Sequence, residues 1–253
     1  MATVARLSIA PVKGLALVHP DGIQLGRDGV ADNRLFLFVD EHGRRYGLIR
    51  DGRLQLIKAT YADGRLRLEL PDGSTVEDDV RVDGLLRTDI YNRDLDVQLV
   101  EGPWNEPVSE FIGRPLRLVQ AAAPGNAVDR PSGPVSLVSQ ASLDELARHA
   151  GAESVDARRF RMLIDVTGVG PHEEDEWLGR QVRIGAARVR FLGQVDRCAI
   201  TTQNPRTGRV DLDTLRTIKD YRGLRDGKAL DFGIYGEVVE PGRIAIGDAV
   251  EPA

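Results

Sequence analysis

The sequence predicts a mixed, predominantly β fold arranged as two successive bodies, with helices at the periphery of the second. Three features carry that expectation. Short apolar segments recur through the first 120 residues, Asp-Gly pairs punctuate them, and helix-start signals follow in the second half. Asp-Gly pairs stand at 21–22, 28–29, 51–52, 63–64, 72–73 and 83–84. Glycine tolerates backbone angles that a β-carbon disfavours, so such pairs mark tight turns between strands.

Val4–Ile9, Arg34–Val39, Leu54–Lys58 and Leu66–Leu70 read as strands of the first body. In Arg65-Leu-Arg-Leu-Glu-Leu70 polar and apolar residues alternate, so one side can face a core and the other water. The second body is expected to begin between about residues 110 and 135, where Pro124-Gly125-Asn126 and Arg130-Pro-Ser-Gly-Pro134 suggest a linker or crossing loop. The boundary is placed at 120, giving bodies of residues 1–120 and 121–253.

Ser142-Leu-Asp-Glu145 has the form of a capping box. The Ser142 hydroxyl would accept from an exposed amide while Glu145 reaches back to the cap amide, starting a helix that stops near Gly151. Gln181–Ile184 and Ala187–Leu192 form a strand pair around Gly185-Ala186. Asp211 or Asp213 starts a short helix through Tyr221. Ile234–Val239, Arg243–Ile246 and the segment through Val250 then supply strands that close a second sheet or barrel, and closure removes strand edges that would pair with other molecules.

Composition narrows the function classes. Of 253 residues, 42% are apolar and 29% charged, a globular balance that argues against disorder. The 34 basic residues are scattered among 39 acidic ones, so no domain-wide positive footprint for nucleic acid is evident. No run approaches the roughly 18–20 apolar residues of a membrane span, and the first residues lack a secretion signal. One cysteine cannot form an intrachain disulfide, and a cytoplasmic location is expected.

That cysteine sits in the densest chemical signal of the chain, Gln194-Val-Asp-Arg-Cys198-Ala-Ile-Thr-Thr-Gln-Asn-Pro205-Arg-Thr-Gly208. A strand before it and a turn after it would bring the sulfur to the rim or floor of a pocket. Arg197 and local amides could favour the thiolate, the form that attacks electrophiles and binds metals. Asp196, Thr201, Thr202 and Asn204 are candidate supports around it. A buried, purely structural cysteine is the competing account, and the multiple Cys and His ligands of a structural zinc site are absent from the sequence.

The chain resembles the MOSC-domain family. Pro11-Val-Lys-Gly14 and Asp32-Asn-Arg-Leu-Phe36 look like parts of that family's N-terminal β-barrel region. Ser139-Gln-Ala-Ser142-Leu, Asp156-Ala-Arg-Arg-Phe-Arg161 and Arg197-Cys198-Ala-Ile-Thr-Thr202 follow in the expected order. Asn204–Gly208, Leu215–Arg222, Phe232-Gly-Ile-Tyr-Gly236 and Gly242–Asp248 complete the match. The resemblance implies a MOSC-type β-barrel architecture with peripheral helices and an N-terminal β-barrel region. It also implies a molybdenum-molybdopterin cofactor, with Cys198 as the sulfur ligand to the metal. Lys13, Arg34, Ser142, Arg161 and Arg197 would then hold the cofactor, since phosphate oxygens accept several charge-assisted hydrogen bonds.

Within the family the amidoxime-reducing branch implies reduction of N-hydroxylated small molecules through an external electron-transfer protein or reductase. Other members handle sulfur, which would make Cys198 a persulfide carrier. A third reading is a non-enzymatic protein that binds an anionic ligand on the same scaffold. The chain departs from the family in two places. Phe160-Arg-Met-Leu-Ile164 stands where Phe-Arg-Pro-Asn is common, and Gly14 lacks the hydroxyl that some relatives carry there.

Overall fold

A computed structural model describes residues 1–90, 93–122 and 132–252. Pro124-Gly125-Asn126 and Arg130-Pro131, expected to form a linker, lie outside the described residues. In chain order the first half forms β1 (Ala2–Leu7), β2 (Gly22–Leu25), β3 (Phe36–Asp40), β4 (Arg45–Tyr46), β5 (Lys58–Ala62) and β6 (Arg65–Glu69). It continues with β7 (Thr75–Asp79), β8 (Arg81–Asp89), β9 (Asp94–Glu101), α1 (Asn105–Ile112) and β10 (Leu116–Ala121). The second half begins with β11 (Val135–Ser139), α2 (Gln140–Ala150), β12 (Ile164–Thr167), β13 (Gln181–Ile184) and β14 (Ala187–Asp196). It ends with α3 (Thr214–Arg222), β15 (Asp231–Glu240), β16 (Gly242–Ala245) and β17 (Ala249–Pro252).

Among the described residues, the strands close a barrel in the order β1-β12-β11-β15-β14-β13-β17. Most of the barrel comes from the second half, but β1 pairs with β12 and β17 and so belongs to it. Strand β2 likewise pairs with β16. Alternate residues of these strands, among them Val4, Leu137, Val166, Ile184, Phe191 and Ile234, fill the barrel interior. This is the period-two pattern of strands with one buried face.

The rest of the first half forms a five-stranded sheet, β4-β3-β10-β9-β8, and a three-stranded one, β5-β6-β7. Strand β3 is buried throughout because the sheet carries apolar packing on both sides. Phe36 and Phe38 join the cluster around Trp104 and Leu66, whereas Leu37 and Val39 join Val97 and Val119. The expected alternation in Arg65–Leu70 appears as β6, with Leu66 and Leu68 buried.

Four local expectations change. Leu54–Lys58 is not a strand: Asp51 caps a 3-10 turn over Gly52–Leu56, its carboxylate accepting from the Arg53 amide. An acceptor two residues ahead of a free N–H competes with a sheet ladder and wins. The Asp-Gly pair at 21–22 runs into β2, and the pair at 83–84 forms a bulge within β8 where the register shifts. By contrast, Asp63-Gly64 makes the β5–β6 hairpin, both residues at positive φ of 51° and 79°, as a tight turn with the strands' twist requires. The cap of α2 is Ser139, whose hydroxyl accepts from the Ser142 amide at 3.1 Å. The chain turns helical directly after β11, so the half-extended cap position falls on Ser139 and places Ser142 inside the first turn. Glu145 does not reach back; it accepts from Arg148 at 2.6 Å and contacts His149. Between the two candidates for the third helix, Asp213 is the cap, accepting from the Arg216 amide at 3.1 Å.

Candidate active site

A cleft with an open mouth lies between the two halves of the molecule, about 1160 Å³ when the solvent at its mouth is counted. The first half contributes Lys13, Arg34 and Arg45 with Leu37, Tyr46 and Leu48. The second contributes Ser136, Arg159–Leu163 and Val195–Cys198 with Ile200 and Thr201. Cations and aliphatic side chains therefore face the same space.

Cys198 follows the end of β14 and is exposed. It flanks a 3-10 turn over Ala199–Thr202, and its carbonyl accepts from the Thr201 amide and hydroxyl, both at 3.1 Å. The Thr201 hydroxyl also lies 2.7 Å from that of Thr214, the first residue of α3. The thiol is thus presented by a turn anchored through main-chain groups, which leaves its sulfur facing the cleft rather than packed in a core.

Arg197 spends its guanidinium on the scaffold. Nε donates to the Phe232 carbonyl at 2.7 Å, Nη1 to the Phe160 carbonyl at 3.1 Å, and Nη2 approaches the Met162 sulfur at 2.8 Å. The group also stands 5.2 Å from the centre of the Phe160 ring. Its charge adjoins the cysteine, while its hydrogen bonds tie β14 to β15 and to the segment before β12. Asp196, a candidate for orienting Arg197 or another donor, holds the Leu230 amide, its carboxylate accepting at 2.8 Å.

Arg34 and Arg161 are brought together from opposite halves. The Arg34 Nη2 donates to the Arg161 carbonyl at 3.0 Å, and the Arg161 Nη2 donates to the Leu15 carbonyl at 2.7 Å. Lys13 sits beside them, its amide donating to the Phe36 carbonyl at 2.7 Å. The Asn33 side chain fixes this loop by accepting from the Ala10 amide at 3.0 Å.

Three residues that the sequence suggests for the site do not line the cleft. Ser142 is buried in the first turn of α2, donating to Glu174 at 2.7 Å and accepting from the His172 amide at 2.8 Å. The Thr202 hydroxyl donates to the Ala199 carbonyl at 2.7 Å, which closes the cysteine turn on itself. Asn204 shapes the following loop: its side-chain carbonyl accepts from the Arg206 amide and its amide group donates to Asp211 at 2.6 Å. Conversely, Arg45, Arg159 and Ser136 line the cleft although the sequence does not mark them out. Arg159 belongs to the Asp156–Arg161 segment, whose run of basic residues is a signal that could reveal it. Arg45 and Ser136 carry no signal beyond their residue type.

The Asn204–Gly208 loop joins the halves behind the cysteine. A β-carbon on Gly52 would lie 2.0 Å from the Gly208 carbonyl oxygen, so the two backbones touch. Gln203 adds a bond from Nε2 to the Leu48 carbonyl at 2.8 Å, and Gln55 donates to the Asn204 carbonyl at 3.3 Å. The floor of the cleft at Leu48 and the wall at Cys198 are thereby one connected surface.

The family model for the MOSC domain matches residues 125–251, and that for the MOSC N-terminal beta barrel domain matches residues 1–104. The chain belongs to the MOSC-domain family. Mitochondrial amidoxime-reducing component 1 of Mus musculus is 30% identical, with 98% of this chain and 81% of that protein covered. Mitochondrial amidoxime reducing component 2 of Bos taurus is also 30% identical, over 98% of this chain and 82% of its own length. The molybdenum cofactor sulfurase of Oryza sativa subsp. japonica is 28% identical over 60% of this chain, which spans 22% of that protein. Among solved structures, the YuaD protein from Bacillus subtilis is similar at 15% identity and a TM-score of 0.47, over 100% of this chain and 96% of that one. The cytoplasmic placement expected from the lack of a secretion signal is overturned, because the amidoxime-reducing relatives of this MOSC protein are mitochondrial by name. Among the described residues, no helix is long and apolar enough to cross a membrane.

Proposed function

We propose that this chain is a MOSC-type oxidoreductase that holds a molybdenum-molybdopterin cofactor and reduces N-hydroxylated compounds, drawing electrons from a separate electron-transfer protein. The observation that supports it most is the exposed Cys198 in a cleft that Lys13, Arg34 and Arg161 also line. Among the described residues, no group of three or more His, Cys, Asp or Glu side chains is gathered to hold a metal. A cofactor that brings its own dithiolene sulfurs asks only one soft protein ligand, together with cations for its phosphate. The residues present fit that requirement.

When bound, the cofactor supplies the redox-active metal at which an N–O bond is reduced. The chain's own residues do the rest. Cys198 provides the thiolate ligand, and Thr201 fixes its main chain. Lys13, Arg34 and Arg161 neutralise phosphate oxygens, with Arg34 and Arg161 pre-set by carbonyls from opposite halves. Leu37, Leu48, Phe160 and Ile200 give the cleft an apolar lining, which strengthens those charge contacts by thinning the water around them.

Protein purified from cofactor-replete cells is expected to carry molybdenum and to reduce a benzamidoxime when supplied with electrons. Cys198→Ser is expected to lose at least roughly a hundredfold in rate with an unchanged unfolding midpoint. Full activity in that variant would remove the metal-ligand role.

Sulfur transfer is the second reading, favoured by the exposure of Cys198 and the similarity to a molybdenum cofactor sulfurase. There the Cys198 thiolate would take the outer sulfur of a donor persulfide, releasing the donor thiolate, and pass it to an external acceptor. Intact mass after treatment with a persulfide donor distinguishes the two: one added sulfur on wild type and none on Cys198→Ser supports transfer.

A further inference from the structure

Arg159 ends a 3-10 turn capped by Asp156 and is buried at 7% exposure, yet it lines the cleft. Its Nη1 donates to the Thr202 carbonyl at 3.1 Å and its Nη2 to Asp211 at 2.6 Å. Asp211 is held in turn, its second oxygen accepting from the Asn204 side chain at 2.6 Å and its amide donating to the same Thr202 carbonyl at 3.2 Å. Thr202 closes the turn that starts directly after Cys198. The near end of that turn is pinned by the Arg197 amide on the Leu230 carbonyl at 2.8 Å. Arg159 pins the far end, and it does so from the segment that carries Arg161. One buried fork therefore sets the cysteine turn against the anion-facing arginine two residues away.

We infer that Arg159 is a positioning residue for Cys198: it fixes, from the segment that carries Arg161, the far end of the turn that presents the thiol. This rests on Cys198 being the reactive group of the cleft, but not on which cofactor or substrate the cleft takes. A guanidinium suits the task because its planar fork reaches a carbonyl and a carboxylate at once, which an ammonium cannot do in one geometry.

The test uses the full chain prepared without cofactor. The rate of Cys198 alkylation by iodoacetamide at one fixed pH is measured alongside amide hydrogen exchange. Arg159→Ala is expected to speed exchange at Thr201 and Gln203 at least about tenfold, since the turn loses both bonds of the fork, and the Cys198 alkylation rate at that pH should shift with it. Arg159→Lys keeps the charge but not the planar fork and should leave the turn loose too, with exchange at Thr201 and Gln203 at least about tenfold faster and barrel protection unchanged. Asp211→Asn, at a side chain 39% exposed, removes one anchor but keeps the Arg159 charge. It is expected to speed exchange in the turn, and it decides the matter should Arg159→Ala fail to fold. Wild-type exchange in the turn of folded Arg159→Lys and Asp211→Asn would overturn the inference. Molybdenum-free protein that shows these changes in exchange sinks the proposed reaction and leaves Arg159 standing; molybdenum-loaded protein without them does the reverse.

Discussion

The Arg34 guanidinium donates to the main-chain carbonyl of Arg161 at 3.0 Å, across 127 residues of sequence. Both residues have positive φ, 59° and 53°, a conformation that costs a residue with a β-carbon about 1–2 kcal/mol. Neither strain is explained by its local sequence. Each is held by the other half of the molecule, since Arg34 binds the carbonyl of Arg161 and Arg161 binds that of Leu15. Strained backbone gathers where the surrounding structure over-determines it, and here it gathers at the cleft.

Replacing Arg34 by lysine tests this clamp. The charge stays but the planar fork is lost, so the bond to the Arg161 carbonyl weakens. The expected cost is about 1–2 kcal/mol, a fall of roughly 2–6 °C in unfolding midpoint for a chain of this size. Molybdenum per chain should fall with it. Scanning calorimetry and elemental analysis on the same preparation check both, and an unchanged midpoint with full metal content would show that the two arginines act independently.

The contact between Gly52 and Gly208 is expected to be the least forgiving point of the joint. Gly52→Ala would drive a methyl group into the Gly208 carbonyl, main chain against main chain, with no side chain able to move aside. A loss of at least about 2–3 kcal/mol is expected by urea unfolding. Gly179→Ala is the matched control: its φ is 77°, but nothing lies within 4 Å, so only backbone strain of about 1–2 kcal/mol should appear. Equal losses in both variants would mean that the close approach adds nothing.

Much of this architecture is legible in the residues. Asp63-Gly64, the Gly185-Ala186 turn and the alternation in Arg65–Leu70 each specify a hairpin or strand face locally, and each appears in the structure. What stays hidden depends on partners distant in sequence. Ser142 has the form of a cap, but the cap position depends on where β11 ends. Arg197 lines the cleft as a basic residue of the cysteine segment should, but its bonds to the Phe160 and Phe232 carbonyls and its approach to the Met162 sulfur come from residues distant in sequence. Arg45 reaches the cleft only because the β3–β4 hairpin folds over it.

Met162 stands where the common family pattern has proline, and the structure gives it a place: its sulfur sits against Arg197 and its methyl group fills space beside Gly233. Met162→Leu keeps the volume and removes a weak acceptor from a guanidinium that still has two carbonyls. The expected cost is below about 1.5 kcal/mol, with alkylation of Cys198 unchanged. Chemical denaturation and the alkylation rate check it. A large loss would make the sulfur contact itself a principal anchor of Arg197.

The pH dependence of stability should reflect a buried group and a half-buried one of opposite sign. Asp165 of β12 is 5% exposed and takes a bond from the Arg6 Nε of β1 at 2.7 Å. Burial pushes its carboxyl up to about 6 despite Arg6, from an ordinary 3.8. The folded state therefore binds this proton more tightly than the unfolded chain. The stability it contributes is fully present below about pH 4 and lost as pH rises through 6, by about 3 kcal/mol for a shift of that size. His172 acts in the other direction. Burial, with the Arg222 charge adding to it, holds its imidazole down at about 4, so it contributes stability above pH 6.5 that is lost as pH falls through 4. Between pH 4 and 6.5 the two slopes oppose one another. Urea unfolding across that range is expected to show Asp165→Asn gaining stability with rising pH relative to wild type, while His172→Gln loses it. Parallel curves for all three proteins would mean that neither group carries a linked proton.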